Sequence, residues 1–119
     1  KTLKEAGFTI ILTSDHGSIR VGKGVLVGAD KETSSGIRYK MGRNLNCSEK
    51  NALIIRNPKE YGLPDLVHQT NYLIAKDDAY FLYPNQQHRY EQKLKDSFQH
   101  GGISMDELLV PLAVLTPLN

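Results

Sequence analysis

The sequence predicts an α/β chain with a mostly parallel central sheet and antiparallel hairpins attached to it, and three observations carry that expectation. Residues 1–6 are closed by Gly7 and run straight into Phe8-Thr9-Ile10-Ile11-Leu12-Thr13, where apolar and β-branched side chains follow one another without alternation. Unbroken runs of this kind belong to strands covered on both faces, the usual situation in a parallel sheet beneath helices. The middle of the chain is divided by Gly, Pro, Asn and Asp into short apolar runs of strand length. Near the end, Ser104-Met105-Asp106-Glu107 has the Ser-x-x-Glu spacing that starts a helix, and Leu112–Leu115 follows as a further strand.

Taken in order, residues 1–6 end a helix, and Gly7 stands where a left-handed residue is least strained. A helix leading into the central strand Phe8–Thr13 is the tail of a βαβ unit. From Ile19 to Thr33 the chain is glycine-rich, with Gly22, Gly24 and Gly28 among short valine runs, the pattern of either hairpins or a long loop over the sheet edge. IRYKMGRNLN, ALII before Arg56 and the turn-like NPKEYGLPD come next. TNYLIAK and AYFLYP read as two strands around a turn at Asp77-Asp78, with Pro84 ending the second. Gln86–Phe98 is polar with Tyr90, Leu94 and Phe98 at i, i+4 and i+8, which predicts a short amphipathic helix.

Composition narrows the class of protein. A chain of 119 residues with 39% apolar and 24% charged residues is globular, and holds one domain at most. The formal charge of +2 is too small to argue for nucleic acid by itself. The single Cys47 excludes an internal disulfide, and no signal peptide or long apolar span is visible, so a cytoplasmic location without membrane attachment is expected. The chain opens on Lys1 already inside a helix-to-strand unit, so the expectation is a piece of something longer.

Side chains at the C-terminal end of a parallel strand enter the crevice where ligands bind in open α/β sheets. Ser14-Asp15-His16-Gly17-Ser18 stands there. A carboxylate and a neutral imidazole are both good ligands for zinc, and Gly17 lets the chain turn so that both can face one ion; the competing reading is a Ser/Asp turn with an incidental histidine. His100 precedes Gly101-Gly102, either as a ligand on a freely bending backbone or as the last residue of a helix capped by Gly101. Arg38, Lys40 and Arg43 surround Tyr39, a cluster fit either for the phosphates and bases of a nucleotide or for a solvated face. His68 and His88 lie outside any glycine-bounded motif and are read as non-ligands, VGKGV lacks phosphate-loop spacing, and Cys47 has no activating neighbour.

TSDHGS followed far downstream by FQHGGISMDELLVPLAVL resembles the C-terminal part of a PglZ domain, a branch of the alkaline phosphatase superfamily. The intervening IRYKMGRNLN and IRNP are similar to the version in PorX-type bacterial response regulators, where a receiver domain precedes the PglZ effector. The likeness runs from Phe8 to Leu115, and phosphoglycerate mutases and sulfatases share the Asp-His-Gly element less closely. It implies an alkaline-phosphatase-like fold in which residues 1–119 are the C-terminal part of the domain, the receiver and N-terminal half being absent. It also implies two zinc ions, with Asp15 and His16 holding one and His100 its neighbour. Two ions about 3.5–4 Å apart would polarise a phosphoryl group and stabilise the entering and leaving oxygens. The nucleophile and remaining ligands would lie upstream, since Thr2 lacks the nucleophile's context, so no catalytic residue is expected in this chain.

The function so implied is a zinc-dependent phosphodiesterase or phosphatase effector acting on cyclic or linear oligonucleotides, for whose phosphates Arg38, Lys40 and Arg43 are the candidates if the cluster is not a solvated face. Its partners would be a sensor histidine kinase acting through the receiver domain, in a bacterium using type IX secretion. The alternative is a non-catalytic PglZ-type interaction module that binds a sigma factor or secretion component, with metal serving stability only. A homodimer or strand-swapped oligomer is expected, because a central strand stripped of its neighbours exposes backbone edges and apolar faces.

Overall fold

The computed structural model describes residues 2–29, 34, 36–65 and 69–117. Its elements in chain order are α1 (Thr2–Glu5), β1 (Ile10–Thr13), β2 (Ile19–Arg20), β3 (Lys23–Leu26), β4 (Tyr39–Arg43) and β5 (Ala52–Ile55), then a 3₁₀ turn over Pro58–Tyr61. There follow β6 (Thr70–Ala75), β7 (Ala79–Leu82), a second 3₁₀ turn over Pro84–Gln86, α2 (Gln87–Leu94), β8 (Phe98–Gln99), α3 (Met105–Leu108) and β9 (Leu112–Leu115). The chain is thus mixed α/β with several small sheets.

The core forms around β7, whose residues are buried on both faces. Ala79 and Phe81 point into one cluster with Val25, Val27, Leu45, Ala52, Leu73 and Ala75, filling the space against the three-stranded sheet β4-β6-β5. Tyr80 and Leu82 point the other way, to Val21 and to Leu94 of α2. This period-two division of an unbroken apolar run is what a doubly covered strand requires, and β7 pairs in parallel with β3 as that covering permits.

The expected sheet differs from this one. Phe8–Thr13 is not central: the strand there shortens to Ile10–Thr13, and Ile11 and Leu12 are 64% and 53% exposed. Leu112–Leu115 does not extend a parallel sheet but pairs antiparallel with β1, with Ile10 opposite Leu115 and Thr13 opposite Leu112. Pairings β2–β8, β4–β6 and β5–β6 are antiparallel as well, so a mostly parallel arrangement is corrected to one parallel pair amid antiparallel ones among the described residues. The reason is that FTIILT and AYFLY carry the same apolar signal, and only packing decides which is covered. The radius of gyration of 18.7 Å exceeds the roughly 13.5 Å of a compact chain this long.

Stability should follow that division. Leu73, fully buried in the main cluster, is expected to cost about 2–5 kcal/mol when changed to Ala. Leu12→Lys on the exposed ribbon should stay within about 0.5 kcal/mol. Urea midpoints of the two variants test this, and equal losses would contradict the placement of the core.

The remaining elements follow local chemistry. Gly7 ends α1 at φ 82°, its N–H bonded to the Lys4 carbonyl at 3.1 Å. Asp77 takes φ 46° in the turn between β6 and β7, and Gly62 takes φ 66° after the first 3₁₀ turn. The expected helix over Gln86–Phe98 is shorter: α2 stops at Leu94, Asp96 turns the chain at φ 65°, and Phe98 starts β8. Among the described residues no helix is long and apolar enough to cross a membrane.

Candidate metal centre

Three local pairings bring the two histidine motifs together. β1, held by β9, ends at Thr13 and hands the chain to Ser14-Asp15-His16. Immediately afterwards β2 pairs antiparallel with β8, Ile19 opposite Gln99, which sets the residue after Gln99, His100, beside the stretch preceding Ile19. The Gly17 N–H then donates to the Glu107 carbonyl of α3 at 2.9 Å. The imidazoles of His16 and His100 lie face to face, their centroids 3.7 Å apart and their planes 15° from parallel. His100 is therefore not a helix terminus, and Gly101 at φ 100° turns the chain after a strand.

The donor atoms have a definite arrangement. His16 Nδ1 lies 2.7 Å from the Gly17 carbonyl. A carbonyl only accepts, so Nδ1 carries a proton, and in the neutral ring Nε2 is the atom with the lone pair. The Asp15 Oδ1 atom is 3.7 Å from that Nε2 and accepts the His16 backbone N–H at 3.1 Å. Usual zinc–ligand lengths at a tetrahedral angle separate two donors by about 3.4 Å, so the gap is close to what one shared ion requires. Imidazole lone pairs lie in the ring plane. Two rings stacked face to face cannot both aim at one ion between them, but each can serve its own ion in adjacent positions.

Gly17 does not work by unusual backbone freedom, for its φ is not in the positive range. It works by absence of bulk: a Cβ there would fall 1.9 Å from the Asp106 carbonyl oxygen. Gly102 is equally confined, its added Cβ meeting Arg38 Nη2 at 2.4 Å.

That contact exposes what sequence reasoning missed. Arg38, expected to meet substrate phosphates, is fully buried and makes a bidentate pair with Glu107, Nε and Nη2 each 2.6 Å from a carboxylate oxygen. Its Nη1 donates to the Ala79 carbonyl. Glu107 also accepts the N–H groups of Gly102 at 2.8 Å and Ser104 at 3.0 Å, and the Ser104 hydroxyl at 2.5 Å. Burial alone would push its carboxyl up; the bonds from Arg38, Ser104 and the backbone outweigh burial and hold it at about 2. The capping-box spacing did point to Glu107 as a helix cap, but nothing in the sequence linked it to Arg38.

Lys40 is also withdrawn from solvent: its Nζ donates to the Ser34 carbonyl at 3.1 Å and lies 4.4 Å over the Tyr83 ring. Only Arg43 of the three is exposed, because the strand pleat turns Arg38 and Lys40 to one face and Arg43 to the other. The cluster expected to bind phosphate is thus dispersed. His88 is exposed on α2, and His68 lies outside the described residues. Burial, and secondarily Glu49, pushes the Cys47 thiol up, away from the reactive thiolate.

Among the described residues no group of three or more His, Cys, Asp or Glu side chains is arranged to enclose a metal ion. The donor chemistry of Asp15, His16 and His100, and the 3.7 Å between Asp15 Oδ1 and His16 Nε2, nevertheless suit part of an open centre. This mixed α/β chain, with small sheets and glycine-bounded loops at strand ends, is consistent with a piece of a phosphoesterase-like fold. The chain is a member of the PglZ family: the profile of the BREX system PglZ alkaline phosphatase-like domain matches residues 1–115. Proteins of the alkaline phosphatase-like superfamily are generally metal-dependent. No curated protein is significantly similar to the chain.

Proposed function

We propose that this chain supplies part of the two-metal centre of a zinc-dependent phosphodiesterase or phosphatase, acting on cyclic or linear oligonucleotides. The stacked His16–His100 pair carries the reading, since it sets two imidazoles from distant motifs side by side with a carboxylate next to one of them. Asp15 and His16 would hold one zinc and His100 the second. Zinc so bound supplies Lewis acidity toward a phosphoryl oxygen and lowers the pKa of a bound hydroxyl. The protein's own part is to fix the donors: the Gly17 carbonyl selects the His16 tautomer, and the Asp15 carboxylate is oriented by the His16 N–H. The nucleophile and further ligands belong, on this reading, to a preceding part of the domain, and the whole serves as the cytoplasmic output of a response regulator.

A second reading is favoured by one observation. Ile11, Leu12, Leu112, Val114 and Leu115 are all exposed on the β1–β9 ribbon, a surface suited to a non-catalytic module that docks on a protein partner or a second copy.

Zinc titrated against a chromophoric chelator separates the two. The chain should bind zinc, and His16→Ala and His100→Ala should each weaken binding by at least about tenfold. Unaltered affinity in both variants would overturn the metal reading. The 119-residue chain should show little turnover of a nitrophenyl phosphodiester; a zinc-dependent rate abolished by His16→Ala would overturn the assignment of the nucleophile to another segment.

A further inference from the structure

The loops bearing His16 and His100 are far apart in sequence, and both are fastened to one residue. Glu107 accepts the Gly17 N–H through its backbone carbonyl at 2.9 Å and the Gly102 N–H through its carboxylate at 2.8 Å. The same carboxylate is gripped by Arg38, whose third nitrogen bonds the Ala79 carbonyl on β7, the strand buried on both faces. An unbroken line of contacts therefore runs from the core through Arg38 and Glu107 to both loops. Steric contacts follow the same line, Gly102 lying against the Arg38 guanidinium and Gly17 against the backbone of α3.

We infer that Glu107, held by Arg38, is a positioning residue that keeps the His16 and His100 rings face to face; the inference rests on the reading of those rings as metal ligands. A buried ion pair adds little net stability relative to apolar packing of the same volume. What this one contributes is geometric. The reciprocal capping box with Ser104 accounts for the part Glu107 plays in starting α3, whereas the bonds to Gly17, Gly102 and Arg38 reach outside the helix. Outer partners that orient metal-bound imidazoles act in this way, and their loss weakens metal binding without removing a ligand.

The test compares Glu107→Gln with Ser104→Ala, which removes a cap contact but leaves the carboxylate on Gly102 and Arg38. Glu107→Gln is expected to lower zinc affinity about 10–100-fold and to abolish the nuclear Overhauser contact between the two imidazoles in metal-free protein. Ser104→Ala should lower thermal stability while retaining both signals. Native-state hydrogen exchange on the unaltered chain supplies a measurement independent of whether a variant folds: the Gly17 and Gly102 amides should open together, with protection within about threefold. Amides that differ by more than about tenfold overturn the inference, as does a folded Glu107→Gln chain with full ring contact and full affinity. An unaltered chain that binds no zinc, yet shows the coupled amides and the ring contact, would sink the metal reading while leaving Glu107 as the staple of both loops.

Discussion

Replacing Arg38 with methionine is expected to lower the unfolding free energy by roughly 3–5 kcal/mol, a large fraction of what a domain of this size possesses. Removing one member of a buried pair leaves the other charge without compensation, and the Arg38 and Glu107 side chains are 0% and 2% exposed. The double variant Arg38→Met/Glu107→Leu should recover part of the loss, because no carboxylate is then stranded. Urea denaturation of the two single variants and the double reads the coupling directly. Additive losses would mean that the pair does not act as a unit.

The same pair sets an acid dependence whose sign follows from Glu107. Its carboxyl stands at about 2 in the folded chain, against 4.5 as its ordinary value. A depressed carboxyl contributes stability that is full above the unfolded value and is lost as pH falls towards the folded one. The unaltered chain should therefore lose stability between about pH 4.5 and about pH 2. Arg38→Met removes two of the donors that hold the carboxyl down, so its curve should be flatter over that window. Parallel curves for the two proteins would show that Arg38 does not hold Glu107 ionised.

Gly17→Ala is the second large effect expected. The added methyl would fall 1.9 Å from the Asp106 carbonyl oxygen and 3.0 Å from that of Leu109. These are backbone atoms and cannot swing aside as a flexible side chain would. Overpacking of this kind costs about 1–3 kcal/mol or more, and relief requires the Asp15–Gly17 loop to leave α3. The Gly17–Glu107 bond is then lost, and zinc affinity should fall with it. Gly28→Ala is the matched control, since its Cβ would meet nothing nearer than the Asn46 carbonyl at 3.8 Å. Thermal melts and zinc titrations of both variants decide the matter. Equal behaviour of the two would contradict the close approach of Gly17 to α3.

Part of the candidate site is legible in the sequence. Asp-His-Gly at a strand end and His-Gly-Gly ahead of a capping box are local patterns, and local patterns survive transfer from sequence to structure. The two histidines come together because both motifs fall at element ends, where side chains leave the sheet. The roles of the basic residues were less legible. Arg38, Lys40 and Arg43 form a cluster only in one dimension, and the two-residue pleat separates Arg43 from the other two. A cation at the start of a strand looks the same in sequence whether it meets solvent or a buried carboxylate 69 residues away.

By itself the sequence determined the local events: where α1 ends at Gly7, where Asp77 turns the chain, how Ser104 and Glu107 start α3, and which motifs carry the imidazoles. These depend on dihedral preference and on hydrogen bonds spanning a few residues. Only the tertiary structure decided that β7 and not β1 is covered on both faces, that β1 pairs antiparallel with β9, and that Arg38 locks Glu107 beneath both histidine-bearing loops. The physical reason is that apolar runs and charged side chains state what must be covered or paired, while the covering and the partner come from residues distant along the chain.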